Sequence, residues 1–536
     1  MSSLTVGWTR RFLFALFLFA LLVVPAASGQ DEPSAEPAQS GPSDSDQTEG
    51  AMERFNTWFT DNINGPLDAV LFYPILKTES FFIDGDQVAL PLIVIVLFVG
   101  GLFFTFRYGF INLRLFRHSI QVIRGKFDKP EDTGEVTHFQ ALTSALSATV
   151  GLGNIAGVAI AVSMGGPGAV FWMWFTAFFG MSMKFTSCTL AHLYRRVHDD
   201  GRVMGGPMVY LEEGMKDVSP RLAPVGKIFA LVFAVLIILA AFGAGNMFQV
   251  NQTASLVDLT FFGGDGSAAV KIGVGLIMSI LAGGVLIGGI PRIGEVTARL
   301  VPFMCLFYCG VCSIIILMNV TEVPSLLAEI VTSAFNPEAL FGGFIGVLVQ
   351  GMRRAAFSNE AGLGSAAIAH AAARTEEPVR EGVVAMMGPF IDTIVVCSMT
   401  ALTILITGAH LEADLEGVQI TALAFSQLGL FADYGLCLAV FVFAYSTMIA
   451  WGYYGERGVE YLFGLRAILP YRVLYVLTIV IGPMLSLAAV LDFADMLLLS
   501  LAFPNIIGTA IISKKVKMMA DDYIRRLRSG EMQPVR

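Results

Sequence analysis

Ser147-Ala-Thr-Val-Gly-Leu-Gly-Asn-Ile-Ala-Gly157 and Phe357-Ser-Asn-Glu-Ala-Gly-Leu-Gly-Ser365 are the two stretches on which the fold turns. Each lies inside a long apolar segment, and neither suits a continuous helix. The first places Gly151, Gly153 and Gly157 within seven residues, each costing about 1 kcal/mol against alanine in a helix interior. The second combines Gly362 and Gly364 with a carboxylate, Glu360, and the polar Ser358, Asn359 and Ser365. Backbone freed from a helix at membrane depth must be satisfied by protein, water or a ligand. One such stretch alone reads equally well as close helix packing, where glycine patterns are common. Two in corresponding positions point to a pair of broken helices around a binding site.

The apolar context extends along the whole chain. Of 536 residues, 55% are hydrophobic and only 14% charged, and the mean hydropathy is +0.69. Soluble domains carry about 25% charged residues, so lipid must be the solvent for much of this chain. The net charge of −9 has to be read loop by loop. No basic run interleaved with aromatics suggests nucleic acid. All six cysteines lie in apolar segments, so no disulfide framework is implied. Cys305, Cys309 and Cys312 share a helix face, where a metal site is conceivable. No His or carboxylate adjoins them in sequence, and packing thiols are the simpler reading. At the front, Arg10 and Arg11 precede the apolar run Phe12 to Val24, followed by Pro25-Ala-Ala-Ser-Gly29. That order predicts a secretory signal over 1–29, too short to span comfortably, with an uncleaved anchor as the alternative. Residues 30–54, rich in Ser, Pro, Gln and acids, predict a disordered external tail, within a pre-membrane segment that runs to 87.

Eleven further apolar segments follow, near 88–108, 140–163, 167–190, 226–254, 270–290, 297–319, 342–370, 380–407, 431–454, 473–490 and 494–512. Most have the roughly 20 apolar residues that a membrane crossing needs. The expected class is therefore an all-α membrane protein with 11 transmembrane helices. Every second connection is basic: Arg107 to Lys129, Arg195 to Lys227, Arg292 and Arg299, Arg374 and Arg380, Arg457 to Arg472, and the tail 513–536. The others are acidic, at Asp258 and Asp265, Glu322 and Glu338, Glu412 to Glu416, and Asp492 and Asp495. Basic loops stay in the cytoplasm, which places the segment after the signal outside and the C-terminal tail inside. The two unusual stretches open the first and sixth of the ten spans after residue 140. Five spans in 140–319 and five in 342–512 make an odd-numbered repeat, so the halves must be inverted, with 88–110 as an extra peripheral helix.

The residues Thr149-Val-Gly-Leu-Gly-Asn-Ile-Ala-Gly-Val158, Gly165-Gly-Pro-Gly-Ala-Val-Phe-Trp-Met-Trp174 and Phe357-Ser-Asn-Glu-Ala-Gly-Leu-Gly-Ser-Ala366 resemble the alanine/glycine:cation symporter family, the sodium:alanine symporters. The similarity covers about residues 88–512. It implies the amino acid–polyamine–cation superfamily and a bacterial leucine transporter-like 5+5 inverted repeat. The function implied is cation-coupled uptake of a small neutral amino acid into the cell through the inner membrane, with no organic cofactor.

Carried over position by position, the resemblance implies an unwound region at Gly151, Leu152, Gly153 and Asn154, where the N–H groups of Leu152 and Gly153 meet the substrate carboxylate. The end of a half-helix offers free donors and a positive dipole end for this role. The carbonyls of Ser147 and Val150, with the hydroxyls of Ser446 and Thr447 in the eighth of the ten spans, would hold Na⁺, which suits hard oxygens. Without the resemblance, those hydroxyls read as ordinary back-bonding within their own helix. A second cation site is implied at Thr149, Asn154 and Ser358, with Asp392 of the seventh span as a carboxylate. Glu360 departs from the leucine transporter pattern, which has a small polar residue there. It could bind a cation, receive the substrate amine, or pair with Arg353 or Arg354; an ionisable residue inside a span is functional by default. Asn246, Gln249 and Thr253 fall on one face of the third span, with Gln249 the candidate for the amine. Met448 and Trp451 of the eighth span, with Phe357, are candidates for a wall that excludes large side chains. A packing role, or an interfacial anchor for the tryptophan, is the alternative.

Other classes lack their signatures. There is no His-Glu-x-x-His, no Gly-x-Ser-x-Gly elbow and no phosphate-cradling loop, which argues against an enzyme or a nucleotide-driven pump. A repeated filter motif, as in channels, is also missing. The nearest alternative is coupling to H⁺, with Glu360 or Asp392 as the proton carrier.

Overall fold

A computed structural model of the protein describes residues 54, 56–65, 74–83, 86–129, 131–199, 201–264, 267–335 and 343–535. The signal expected over 1–29, the tail up to residue 53, and Asp265 and Glu338 lie outside the described residues. The first departure from an all-α chain is a hairpin: β1 (Pro74–Ile83) pairs antiparallel with β2 (Asp86–Pro91). A second small sheet joins β3 (Arg196–Val197) to β4 (Val203–Met204). Everything else of size is helix. The span expected from residue 88 begins after Pro91, because β2 occupies its first residues, and runs as α1 (Leu92–Arg107).

The first set of helices follows. It comprises α2 (His138–Thr149) with α3 (Ala156–Gly165), then α4 (Gly168–Leu193), then α5 (Ala223–Phe242) with α6 (Phe248–Phe262), α7 (Ala268–Leu286) and α8 (Gly289–Met318). α2 starts on a capping box, in which Thr137 and Gln140 each satisfy the other's backbone N–H. Between α5 and α6 the chain makes a π-helical turn over Gly243–Met247, so the rod continues but its side-chain register shifts.

The second set comprises α9 (Gly343–Asn359) with the short turn Ala367–His370, then α10 (Pro378–Ala385), which leads through a π-helical stretch, Phe390–Cys397, into α11 (Ser398–Thr407). The long α12 (Leu430–Phe463), then α13 (Ile468–Ile481), α14 (Leu487–Ser500) and α15 (Ala502–Ser529) complete it. Both sets open on a helix broken near its middle. The spans expected at 473–490 and 494–512 meet differently from the sequence reading: a 3₁₀ turn closes the first at Met484, and helix resumes at Leu487. The basic tail expected from 513 is helical to Ser529 and stitched down. Arg526 grips Glu377 with two bonds of 2.7 and 2.9 Å, Tyr523 and His118 share a 2.7 Å bond, and the Val535 N–H donates to Lys126 O at 2.7 Å.

Seven helices of the described residues are long and apolar enough to cross a membrane: Pro220–Phe262, Ala268–Leu286, Gly289–Met318, Pro378–Thr407, Leu430–Phe463, Leu465–Met484 and Leu487–Ser529. The other expected crossings fall short for visible reasons. α1 has 16 residues, α2/α3 and α9 are interrupted, and α4 carries Lys184 among many hydroxyls. The outward faces are strongly apolar: Leu306 on α8 is 75% exposed and Ile280 on α7 is 73% exposed. Water does not tolerate a continuous belt of this kind, and hydrocarbon does. Inside, α4 packs against α1, α9 and α10, while α12 packs against α2, α5, α6 and α8. The two broken helices are thus held between α4 and α12. The six cysteines are free thiols, and among the described residues no group of three His, Cys, Asp or Glu is arranged to hold a metal.

Candidate substrate and cation site

α2 ends where Val150 leaves helical geometry (φ −78°, ψ 77°), its N–H bonded back to Leu146 O at 2.6 Å. The freed backbone is taken up by neutral dipoles. The Gly151 N–H donates to Thr149 O (2.9 Å) and to Asn154 Oδ1 (3.1 Å), and the Leu152 N–H donates to Gln249 Oε1 (3.1 Å). Gln249 is itself held by Nε2 on Ala244 O at 2.9 Å, within the π-helical turn. Asn154 Nδ2 donates to Asp392 O (3.2 Å), and the Thr400 hydroxyl donates to Asn154 O (2.8 Å). Gly151 has a steric reason as well: a Cβ there would fall 2.3 Å from Thr447 Oγ1.

The expected sodium ligands assemble in part. The Thr447 hydroxyl crosses from α12 to donate to Ser147 O (3.0 Å), and the Ser147 hydroxyl donates in return to Ser446 O (2.6 Å). The Ser446 hydroxyl does not join them. It donates one turn back to Phe443 O (2.9 Å), the back-bonding that competes with such roles, and reaches Met304 Sδ at 3.6 Å.

The second break begins at Glu360, which holds a left-handed backbone (φ 55°) normally left to glycine. Gly362 and Gly364 follow at φ 86° and 87°. Asn505 Nδ2 donates to Gly362 O (2.7 Å), and Lys184 Nζ donates to Asn359 O (2.9 Å) at the end of α9. Asn359 accepts from the Ala361 N–H (2.9 Å) and donates to Thr393 Oγ1 (3.0 Å). Asp392 Oδ1 accepts from Ser358 (2.5 Å) and Thr393 (2.8 Å), while its Oδ2 has no partner among the described residues.

The pairing of Glu360 with Arg353 or Arg354 is not what the structure shows. Both arginines turn from α9 to Asp495 on α14, Arg353 at 2.9 Å and Arg354 closer still. Glu360 lies beyond the helix end, where its left-handed turn directs the carboxylate to the Ser365 hydroxyl. Trp451 and Lys184 also interact with that carboxylate.

The two breaks touch. A Cβ at Gly153 would lie 3.1 Å from the Phe357 ring and 3.4 Å from Ser358 Cα. Phe357 meets Phe248 edge-on at 5.1 Å and lies under the Arg354 guanidinium at 5.4 Å. Trp451 packs so tightly on the π-helical turn that a Cβ at Gly245 would fall 2.2 Å from its own. The Met448 side chain is fully buried, and its carbonyl accepts the Tyr475 hydroxyl at 2.9 Å. Every site residue named from sequence is buried. Besides Ser446, other expected contributors turn away: Thr149 bonds to Leu146 O (3.4 Å) in its own helix, and Asn246 bonds to Tyr475 O and Thr478 on α13 (2.8 and 2.9 Å). Thr253 bonds back to Gln249 O at 2.8 Å. Sequence reasoning missed Lys184, Phe248, Thr393, Thr400 and Asn505, and Cys397, whose Sγ lies 3.3 Å from Asn154 Nδ2 and 3.2 Å from Ser358 Oγ. Lys184 carried a usable signal, as the one basic or acidic residue in the span 167–190.

Comparison with known proteins bears on most of the length. The family model described as "Sodium:alanine symporter family" matches residues 78–536. A protein named sodium/alanine symporter AgcS, from Methanococcus maripaludis, is 41% identical over 82% of this chain and 95% of its own. The probable sodium/glutamine symporter GlnT of Bacillus subtilis is 34% identical, over 84% of this chain and 91% of its own. Among solved structures, the crystal structure of MhsT in complex with L-phenylalanine aligns at a TM-score of 0.48 and 14% identity, over 72% of this chain and 99% of that one. With a family model over most of its length and such relatives, this chain belongs to the sodium:alanine symporter family, a family of integral membrane transporters.

Proposed function

We propose that the protein carries a small neutral amino acid, alanine or glycine, into the cell together with Na⁺, by alternating access to a site between the two broken helices. The observation that carries the reading is the meeting of both breaks, Gln249 and Thr447 in one fully buried cluster of contacts. The half-helix donors at Leu152 and Gly153 are suited to a carboxylate. In the present arrangement Gln249 Oε1 occupies the Leu152 N–H, so a bound carboxylate would displace Gln249, freeing it toward the amine. Ser147, Thr447 and the neighbouring Val150 carbonyl offer hard oxygens to the cation. Asn154, Ser358 and Asp392 form a second candidate set, with the open Asp392 Oδ2 directed by the two hydroxyl donors on its other oxygen. Phe357, Met448 and Trp451 would wall the pocket.

The relatives' names support cation coupling and leave size open, since one names alanine and the other the larger glutamine. In this reading the eleven spans form two inverted sets of five plus α1, with the basic end in the cytoplasm. The test is uptake of labelled alanine with external Na⁺ replaced by choline, where uptake is expected to fall to background. H⁺ coupling is the second reading, favoured by the buried carboxylates of Glu360 and Asp392; uptake that persists in choline and follows a pH gradient would establish it instead.

A further inference from the structure

We propose that Lys184 is a built-in countercation of the second break, one that limits Glu360 and Asp392 together to a single external cation. The inference rests on the cation-coupled reading above and deepens it. Lys184 sits on α4 and is 3% exposed, so bulk solvent does not screen its charge. Its ammonium donates to Asn359 O at 2.9 Å, and a Cβ at Gly388 would meet Nζ at 3.1 Å, so the side chain lies between the break and the α10–α11 span. From Asn359 the contacts continue through its amide to Thr393 Oγ1 (3.0 Å) and from Thr393 to Asp392 Oδ1 (2.8 Å). Glu360 is the next residue in the chain. The ammonium interacts electrostatically with both carboxylates.

Capping the end of α9 would by itself account for the bond to Asn359 O. The charge count goes further. The other buried charges nearby have partners of their own: Arg353 and Arg354 turn to Asp495, with Asp492 also acting on Arg354, and Glu381 lies between His138 and His370. What remains at the break is two carboxylates against one ammonium, a deficit of one positive charge. A buried net charge is strongly disfavoured. An amino acid zwitterion contributes none, so one monovalent cation balances the two carboxylates of the second break. Without Lys184 the same carboxylates would demand two.

The experiment measures alanine accumulation at zero net flux in proteoliposomes, with the membrane potential clamped at zero and a tenfold Na⁺ gradient. Each additional coupled ion multiplies that accumulation about tenfold, because the coupling free energies add. Lys184→Gln is expected to raise it about tenfold over the unmodified protein. Lys184→Arg, which keeps the charge, should match the unmodified protein, and the double variant Lys184→Gln with Glu360→Gln should return to it. Equal accumulation in Lys184→Gln and the unmodified protein overturns the proposal. If Lys184→Gln fails to reach the membrane, the double variant, which keeps the unmodified deficit of one, must reach it; loss of both overturns the proposal as well. An unmodified protein driven only by a pH gradient would refute the sodium reading separately, and the same variants are then compared on a tenfold H⁺ gradient.

Discussion

The two breaks solve one problem with different chemistry. At residues 150–155 the freed backbone is met by amides and hydroxyls: Asn154, Gln249 and Thr400, with Thr447 close against Gly151. At residues 360–366 the chain is held by an ammonium and carries a carboxylate in a strained turn, with a second carboxylate bonded to the neighbouring Ser358. Neutral dipoles can be exchanged for a ligand's groups at little electrostatic cost, whereas buried charges must be matched one for one. The first break is therefore suited to bind and release, and the second to count charge.

The sharpest way to break this contrast is at Gly151. Gly151→Ala forces a methyl into Thr447 and is expected to reduce alanine uptake about 100-fold or more, as small misplacements at a working site do. Gly157→Ala, whose Cβ would meet only Leu152 O at 3.9 Å, should retain uptake. Measuring both at matched expression tests whether the first break depends on close approach or merely on flexibility. Next, Thr447→Ala leaves Ser147 O without its donor and should raise the Na⁺ concentration for half-maximal uptake roughly tenfold. Ser446→Ala should change it little, since that hydroxyl is spent on Phe443 O. Equal effects of the two would return Ser446 to the cation site.

Size selection comes third. Apolar contact excludes a methylene with only about 1–3 kcal/mol, so leucine should compete weakly with labelled alanine rather than not at all. Trp451→Leu should strengthen that competition about tenfold. Full competition by leucine in the unmodified protein would sink the small-substrate reading. The smallest effect concerns strain. Glu360→Gly relieves the left-handed backbone that Glu360→Gln retains, and should be more stable than the latter by about 1 kcal/mol in thermal unfolding. Neither is expected to transport normally.

Both breaks were legible because glycine density is a local signal, and the order of the helices was legible because apolar length is too. What failed was register and partnership. Asn246, Gln249 and Thr253 lie on one face of an ideal helix, but the π-helical turn at Gly243–Met247 inserts a residue's worth of rotation, and Asn246 faces α13 instead. Nearness in sequence pairs Glu360 with Arg353 or Arg354, yet those belong to Asp495, well over a hundred residues away. Side-chain partnership across a bundle is a property of packing, which a hydropathy pattern does not encode. The hairpin before α1 escaped for another reason: its second strand runs directly into an apolar helix, so the boundary carries no change in composition.

The long last helix has a practical corollary. Because α15 and the residues after it are riveted to Glu377, His118 and Lys126 over residues 523–535, a fluorophore attached near residue 530 reports on the stretch leading into α10 rather than dangling free of it. Polarised emission from such a probe would register substrate-driven rearrangement at that end of the bundle without any label inside the membrane.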